Sequence, residues 1–221
     1  MYSDPVQEEY SRLASVYDRR WSFYINATIQ ETINRLEIKP HERVVDIGCG
    51  TGALIQQVFN LVPEAEFAGL DPSIEMLNIA KQKLPKSIEL WIGSADNLPF
   101  PSESFDVVIS TNAFHYFRNP AQAIQEAKRI LKPDGRLIIT DWCHDYLTCR
   151  ICDFFLRLFN RAHFQTYTAS ECQDILQFEG LQEVSIEKYK INWLWGMMTA
   201  KASKKIVNRY GWIDCVCLSD W

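Results

Sequence analysis

Apolar residues follow two alternating spacings from residue 43 onward. Short β-branched runs predict buried strands, and the stretches between them carry apolar residues at helical spacing. The predicted strands cover 43–47, 66–70, 88–92, 105–110 and 136–141, and the predicted helices cover 51–60, 73–84 and 120–131. Regular alternation of strands and helices is typical of a parallel sheet with helices on both faces.

Further elements are predicted on either side of this alternating core. Residues 8–36 predict one or two helices ahead of the first strand, and residues 145–164 predict an amphipathic helix after the fifth. A last helix near 168–179 precedes two strands at about 182–190 and 194–202. These two strands are expected to form a hairpin at the end of the sheet.

The first predicted strand ends in an acid, Asp46, and three closely spaced glycines follow it: Gly48, Gly50 and Gly52. Glycine tolerates positive φ angles and, because it has no Cβ, lets the backbone come close to a ligand. Such a loop also exposes N–H groups at the start of the next helix. The stretch therefore predicts a cradle for a nucleotide-like cofactor at the carboxyl edge of the sheet.

Two more carboxylates follow the next two strands. Asp71 can accept two hydrogen bonds from ribose hydroxyls, and Asp96 can accept one from an exocyclic amine such as that of adenine. Each acid also has a structural explanation, because Asp71 can cap a helix, Asp96 can cap a loop and Asp46 can end a strand. One acid at each strand end favours the binding interpretation.

A dinucleotide site is the main alternative for the glycine loop. Gly48-x-Gly50-x-x-Ala53 satisfies the loose dinucleotide fingerprint. Asp46 precedes these glycines, however, and would repel a pyrophosphate. The next glycine, Gly52, comes after one residue rather than two, which also disfavours a dehydrogenase.

Composition narrows the class of protein. The 221 residues are 47% apolar and 23% charged, the balance of an ordinary globular protein. A formal net charge of −5 argues against the basic face that nucleic acid requires. The sequence contains no run of 18 apolar residues and no signal-peptide pattern, so we expect no membrane span and a cytoplasmic location.

The cysteines predict free thiols rather than a metal site. There are seven, an odd number in a chain without secretion signals. Cys149 and Cys152 lie at helical i, i+3 spacing and fit half-buried helix positions. A structural zinc site would need two further ligands, Cys215 and Cys217, and thus a tail folded back onto this helix. We therefore predict no metal site.

Taken together, these stretches resemble the class I S-adenosylmethionine-dependent methyltransferases, in the ubiquinone/menaquinone-biosynthesis-type branch that acts on small molecules. The resemblance covers roughly residues 10–142. It rests on five runs, Val44–Gly52, Gly69–Ser73 with Met76, Gly93–Phe100, Ser104–Ser110 and Leu131–Ile139. Tyr17-Asp18 also resembles the Tyr-Asp of the family's N-terminal helix.

The resemblance implies a Rossmann-like, doubly wound α/β sheet of seven strands, mostly parallel with an antiparallel last strand, and helices on both faces. It also implies S-adenosylmethionine as cofactor and S-adenosylhomocysteine as product. Asp46 would lie near the methionine amine, Asp71 on the ribose and Asp96 on the adenine. The implied cofactor-binding residues are Tyr17, Asp46, Gly48, Cys49, Gly50, Gly52, Asp71, Pro72, Met76, Ala95, Asp96, Asn97, Ser110 and Asn112.

The implied reaction is transfer of a methyl group to a small molecule by in-line displacement. A base is needed only when the acceptor must lose a proton, and His115 and His144 are the candidates because histidine titrates near neutral pH. His115 could equally be part of a packed aromatic turn. An NAD(P)-dependent oxidoreductase and a non-catalytic cofactor-binding module of the same fold remain the alternatives.

The expected acceptor is an apolar or aromatic small molecule, because aromatic side chains crowd the N-terminal helices and the 145–164 helix. We predict a single methyltransferase domain over 1–221. It comprises an N-terminal helical cap (1–40), a cofactor-binding core (41–142), an inserted lid helix (143–166), and a last part (167–221) with a helix, a strand hairpin and a tail.

Overall fold

The computed structural model describes residues 5–159 and 165–205. Within these ranges one sheet forms the centre of the molecule. Its strands are β1 (Arg43–Ile47), β2 (Glu66–Asp71), β3 (Glu89–Ile92), β4 (Phe105–Thr111), β5 (Leu131–Trp142), β6 (Gln182–Lys190) and β7 (Gly196–Ser203). The tail from residue 206, with Cys215 and Cys217, lies outside the described residues.

The seven strands are ordered β3-β2-β1-β4-β5-β7-β6. The first five pair in parallel, whereas β7 runs antiparallel to both β5 and β6. The predicted fold class is therefore confirmed, including the antiparallel last strand and the hairpin that carries it. The order reverses beside β1, and the carboxyl ends of β1 and β4 border a crevice there, where such sheets bind ligands.

Helices cover both faces of the sheet. They are α1 (Pro5–Arg20), α2 (Ser22–Ile33), α3 (Ala53–Leu61), α4 (Ile74–Lys83), α5 (Pro120–Ile130), α6 (Leu147–Phe159) and α7 (Ala169–Phe178), with a short 3-10 turn at Phe114–Tyr116. No helix in the described ranges is long and apolar enough to cross a membrane.

Two apolar cores lie on opposite faces because successive strand residues point to opposite sides. Val44 and Val107 belong to the core beneath α2, α3 and α4, whereas Val45 and Val108 belong to the core beneath α5 and α7. These strands are buried on both faces, which explains why they read as unbroken apolar runs in the sequence.

The start of β5 is the largest departure from the predicted boundaries. The Lys-Pro-Asp-Gly segment predicts a turn before a strand at 136–141, but β5 already begins at Leu131. Leu131 pairs with Phe105, the register then shifts, and pairing resumes between Val107 and Arg136. The turn exists within the strand, where Asp134 has a φ of 60°. The turn thus interrupts the hydrogen-bond ladder between β4 and β5 without ending β5.

Helix α7 holds the hairpin side of the sheet in place, and it begins with a capping box. The Thr168 hydroxyl accepts from the Glu171 N–H at 3.1 Å, and the Glu171 carboxylate accepts from the Thr168 N–H at 2.8 Å. Both bonds satisfy N–H groups that the first helical turn leaves unpaired.

We expect Thr168→Ala to lower the free energy of unfolding by about 1 kcal/mol, because it removes the side-chain cap of α7. Urea denaturation measures the change. Thr168→Ser keeps the hydroxyl and should stay close to the wild type. Equal losses in the two variants would contradict the cap and point to packing of the threonine methyl group.

Candidate active site

A cavity of about 480 Å³ lies at the carboxyl edge of the sheet. Its walls come from the glycine loop after β1, the end of β2, residues 94–96 after β3 and residues 111–113 after β4. Residues 116–119 and side chains from α1 and α2 complete it. The cavity therefore brings together the strand ends that the sequence marks with acids and glycines.

The glycine loop has positive φ angles, which residues with side chains rarely adopt. Gly48 has a φ of 78°, and a Cβ built there would lie 2.4 Å from the Cβ of Ala113. Gly50 has a φ of 52° and faces open space. The N–H groups of Gly48 and Cys49 both donate to the carbonyl of Leu70, at 2.8 and 3.0 Å. The loop thus turns back onto β2 and presents bare backbone to the cavity.

Asp71 ties this loop to the start of α4. One carboxylate oxygen accepts from the Gly50 N–H at 2.9 Å, and the other accepts from the Ser73 N–H at 2.8 Å. Ser73 itself is the N-cap of α4, since its hydroxyl accepts from the Met76 N–H. Burial raises the pKa of Asp71 to about 6, against the opposing effect of these two backbone bonds.

Asp46 is a buried acid with an unsatisfied oxygen. It is 4% exposed, lines the cavity, and its Oδ1 atom has no hydrogen-bond partner among the described residues. Burial, and then the charge of Asp71, raise the pKa of Asp46 to about 8. A cationic donor in the cavity would satisfy this oxygen and favour its ionised form.

Helix α1 covers the cavity with tyrosines. Tyr10 and Tyr17 line it together with Tyr116, and the Tyr10 hydroxyl donates to the Tyr116 hydroxyl at 2.6 Å. Burial raises the pKa of all three phenols above the ordinary value, so they are neutral at physiological pH. Asp18 anchors the helix, because it accepts from the Thr51 hydroxyl at 2.6 Å and pairs with Lys83.

Asn112 joins the cavity to α2. It follows β4 with a φ of 58°, a conformation that asparagine tolerates better than most residues. Its amide oxygen accepts from the Tyr24 hydroxyl, and its amide nitrogen donates to the Thr28 hydroxyl, both at 2.7 Å. The cavity wall at this point is therefore held by the N-terminal cap.

Comparison with known proteins gives a consistent picture. The methyltransferase domain family Methyltransf_11 matches residues 45–139. A demethylmenaquinone methyltransferase of Thermotoga maritima is 35% identical over 137 residues, which cover 60% of this chain and 59% of the relative. An uncharacterized protein of Methanocaldococcus jannaschii is 37% identical over 135 residues, which cover 61% of this chain and 51% of that protein. The chain spans about half to three-fifths of the length of these relatives.

A solved methyltransferase, in complex with the Trm112 methyltransferase activator of Haloferax volcanii, has the same fold. Its TM-score is 0.78 at 20% identity, and the match covers 93% of this chain and 100% of that one. Over residues 45–139 the chain is similar to class I S-adenosylmethionine-dependent methyltransferases. The resemblance seen in the sequence motifs is thereby confirmed, and the oxidoreductase alternative is not favoured.

Most of the residues that the family resemblance marks do line the cavity. They are Tyr17, Asp46, Gly48, Cys49, Gly50, Asp71, Pro72, Met76, Ala95, Asp96 and Asn112. Gly52, Asn97 and Ser110 are not among the lining residues. Gly52 instead precedes α3 against Leu84, and the Ser110 hydroxyl is buried without a partner in the described part of the chain. The binding roles of all fourteen residues stay predictions.

Sequence reasoning missed several lining residues, chiefly Tyr10 and Tyr116 and the segment that ends at Asn119. Val6, Tyr10 and Tyr17 recur at four- and seven-residue spacing on α1, and this spacing could have indicated a common face toward the site. Tyr116 carried no such signal, because a short 3-10 turn has no periodicity to detect.

His115 lies behind the cavity wall rather than on it. It is 4% exposed, and its Nδ1 atom is 2.7 Å from Oδ1 of Asp141, while Oδ2 of the same carboxylate accepts from the backbone N–H of His115. Its ring stacks on Trp142 with centroids 5.4 Å apart. A role as general base stays a prediction, and the observed contacts give His115 a structural task beside Tyr116.

His144 lies after β5, outside the residues that line the cavity. Its Nδ1 atom is 2.8 Å from the Thr166 hydroxyl, and its N–H donates to the carbonyl of Tyr167. It borders a shallow surface depression formed with residues of α6. No α6 residue in the described range lines the main cavity. The roles of His144 as a base and of α6 as a lid therefore stay predictions.

We expect His115→Phe to lower the free energy of unfolding by about 2–3 kcal/mol, because it removes a hydrogen bond to the buried carboxylate of Asp141. Phenylalanine keeps the stacking on Trp142. Urea denaturation measures the loss, and binding of S-adenosylhomocysteine should persist. A variant that kept its stability but lost methyl transfer a hundredfold would instead show His115 to be catalytic.

The raised pKa of Asp46 predicts a pH dependence of stability. Because its pKa in the fold, about 8, exceeds the ordinary 3.8, the neutral form stabilises the fold fully below about pH 4. That contribution is lost as the pH rises through about 8. We expect Asp46→Asn, which cannot ionise, to gain stability relative to the wild type between about pH 5 and pH 9, measured by urea denaturation.

Asp106 supplies the matched control. Burial would raise its pKa, but hydrogen bonds from Lys132 and from the Arg43 N–H outweigh burial and lower it. Its stabilising effect is therefore present above its ordinary pKa and lost only on acidification. Asp106→Asn should be less stable than the wild type by a constant amount across the same range. A constant difference for Asp46→Asn as well would contradict the assignment.

Proposed function

We propose that this protein is an enzyme that transfers a methyl group from S-adenosylmethionine to a small-molecule acceptor by in-line displacement. The observation that carries the proposal is the lining of the cavity, where Asp46, Asp71 and Asp96 lie at or just after the carboxyl ends of β1, β2 and β3, beside the bare glycine loop. The match of residues 45–139 to the methyltransferase domain family and the named relative from Thermotoga maritima support the same conclusion.

The residues present fit this cofactor. The unsatisfied Oδ1 atom of buried Asp46 suits the ammonium of a methionine moiety. Asp71 uses its oxygens for two backbone N–H groups and retains lone pairs for ribose hydroxyls. Asp96 is exposed at the far wall and suits the exocyclic amine of adenine. When bound, the cofactor supplies a methyl group that its sulfonium already activates.

The protein's own part is to position the acceptor and exclude water. Helix α1 closes over the cavity with Tyr10 and Tyr17, and its contacts with Ser73 and Thr51 keep it there. An acceptor that must lose a proton requires a base, for which His115 and His144 remain the proposed candidates. The tyrosines are poor bases, because neutral phenols with raised pKa values do not accept protons readily.

We propose an apolar or aromatic acceptor. Ile25, Ile29 and Phe117 line the cavity beside the tyrosines, and such walls favour apolar ligands. The relative from Thermotoga maritima is named for a quinone substrate, which is consistent with this class. We further propose a cytoplasmic enzyme without a nucleic-acid partner, in which 1–221 forms one domain with the parts defined above.

Thermal unfolding with S-adenosylhomocysteine, NAD and NADP tests the proposal. A ligand at a hundred times its dissociation constant stabilises the fold by about 2.7 kcal/mol, which raises the midpoint by roughly 5–10 °C for a chain of this size. We expect this rise with S-adenosylhomocysteine alone. A rise with only a nicotinamide cofactor would overturn the proposal in favour of an oxidoreductase.

Two variants locate the binding. Asp71→Ala should abolish the rise, but it also removes two hydrogen bonds that hold the glycine loop. Asp96→Ala should reduce the rise without disturbing the fold, because Asp96 is exposed. Asp174→Ala, on the exposed side of α7, is the matched control and should behave as the wild type. Full binding by Asp96→Ala would contradict the adenine assignment.

A further inference from the structure

Helix α6 presents its apolar side to solvent. Its exposed large side chains recur at helical spacing and form one stripe: Leu147, Ile151, Phe154, Phe155 and Leu158. The side turned toward the sheet carries Cys149 and Asp153 instead, both buried. Surface helices ordinarily bury their apolar stripe, as α5 does with Ile124 and Ile130. Packing among the residues that the structure describes therefore does not explain the stripe on α6.

Two neighbouring segments continue this exposed apolar character. Trp21 and Phe23, at the junction of α1 and α2, are 38% and 60% exposed, and Trp193, in the loop between β6 and β7, is 80% exposed. The loop is ordered, since the Asn192 side chain accepts from the N–H groups of Leu194 and Trp195 at 2.8 and 2.7 Å. An ordered loop that holds a tryptophan in solvent indicates a contact surface.

The topology puts all three segments at the carboxyl edge of the sheet. Met197 of β7 pairs with Trp142 at the end of β5, so the loop 191–195 lies beside the start of α6. Trp195 packs against Tyr24 of α2 with ring centroids 5.4 Å apart. Gly196 lies against the ring of Tyr146, which precedes α6. The loop thus bridges α2 and α6 at the edge where the cavity lies.

We call the exposed apolar residues of these segments the carboxyl-edge surface. They are Trp21, Phe23, Leu147, Ile151, Phe154, Phe155, Leu158 and Trp193. They make up eight of the thirteen large apolar side chains that are exposed among the described residues. The concentration of these side chains at one edge distinguishes this surface from the scattered apolar residues that any protein exposes.

Basic residues outnumber acidic ones in the segments that form this surface. Residues 19–23, 147–158 and 191–195 contain four arginines, Arg19, Arg20, Arg150 and Arg157. Their one carboxylate is Asp153, which is buried and pairs with Arg157 at 2.7 Å. The whole chain has a net charge of −5, so positive charge is concentrated where the apolar side chains are exposed.

We propose that the carboxyl-edge surface docks this protein onto an anionic lipid bilayer, with the tryptophans and phenylalanines at the level of the headgroups and the arginines on lipid phosphates. Amphipathic helices with aromatic and basic residues bind membrane interfaces in this way. A second copy fits less well, because a two-fold contact would bring the same four arginines face to face. The proposal concerns a surface outside the cavity and does not depend on the proposed reaction.

Vesicle flotation of the full chain at low salt tests the proposal. We expect the protein to float with vesicles of equimolar phosphatidylglycerol and phosphatidylcholine, less with pure phosphatidylcholine, and less again as salt is added. Phe154→Glu should weaken partitioning into the anionic vesicles about tenfold or more, since it replaces an apolar side chain that would insert among the lipids with a carboxylate that the anionic headgroups repel. Arg150→Gln should weaken binding to the anionic vesicles alone.

Phe178→Glu is the matched control, because Phe178 is 89% exposed at the end of α7, near the opposite edge of the sheet. It should float as the wild type does. Phe154→Glu should keep its thermal response to S-adenosylhomocysteine, which separates loss of docking from loss of cofactor binding.

Three results would overturn docking on lipid. The first is a wild type that does not float with either kind of vesicle. The second is an equal loss of flotation in Phe154→Glu and Phe178→Glu. The third is a dimer, seen by light scattering, that Phe154→Glu dissociates while vesicle binding is absent, which would assign the surface to a second copy.

Discussion

The candidate site depends on the two hydrogen bonds that Asp71 accepts from the N–H groups of Gly50 and Ser73. These bonds tie the glycine loop after β1 to the start of α4, and so join the floor of the cavity to one of its walls. A neutral side chain cannot replace both bonds with equal strength, because each joins a charged acceptor to a backbone donor. Burial disfavours the charged form of Asp71, and the two hydrogen bonds that hold the glycine loop partly offset this cost.

Asp46 lies close to Asp71, and a bound cation would offset the repulsion between the two carboxylates. Asp46 is buried near Asp71, and the charge of Asp71 disfavours the ionised form of Asp46. The protein keeps both acids where apolar residues would pack at lower cost. A site with this charge distribution selects ligands that bring a positive group to its base, and a pyrophosphate would meet repulsion there.

The sequence predicted the sheet well because its strands are buried on both faces and bounded by turn residues. One short motif located both the first strand and the site, because the buried residues Val44 and Val45 are followed directly by Asp46. The start of β5 was not predicted, because Leu131 pairs across a bulge whose Pro-Asp-Gly turn resembles an ordinary strand boundary. Local signals describe a turn but not whether the ladder resumes beyond it.

Other features required tertiary information. Spacing showed that α6 has an apolar stripe, yet periodicity does not say which way a stripe points, and here it points outward. The partner of His115 lies 26 positions away, so no local pattern revealed Asp141. Tyr116 lines the cavity because a short 3-10 turn after β4 places it there, and the sequence did not predict this turn. Site residues at strand ends are thus predictable, whereas those contributed by caps and turns depend on packing.

The covering of the cavity by α1 has a kinetic consequence. The helix is held above the site by polar contacts, namely Tyr10 with Tyr116, Ser11 with Ser73, and Asp18 with Thr51 and Lys83. Such bonds exchange readily with water and contribute about 1 kcal/mol each. We expect this helix to open by breaking these bonds one at a time while the sheet stays folded. Exchange of ligands should then be limited by the opening of the helix rather than by diffusion to the site.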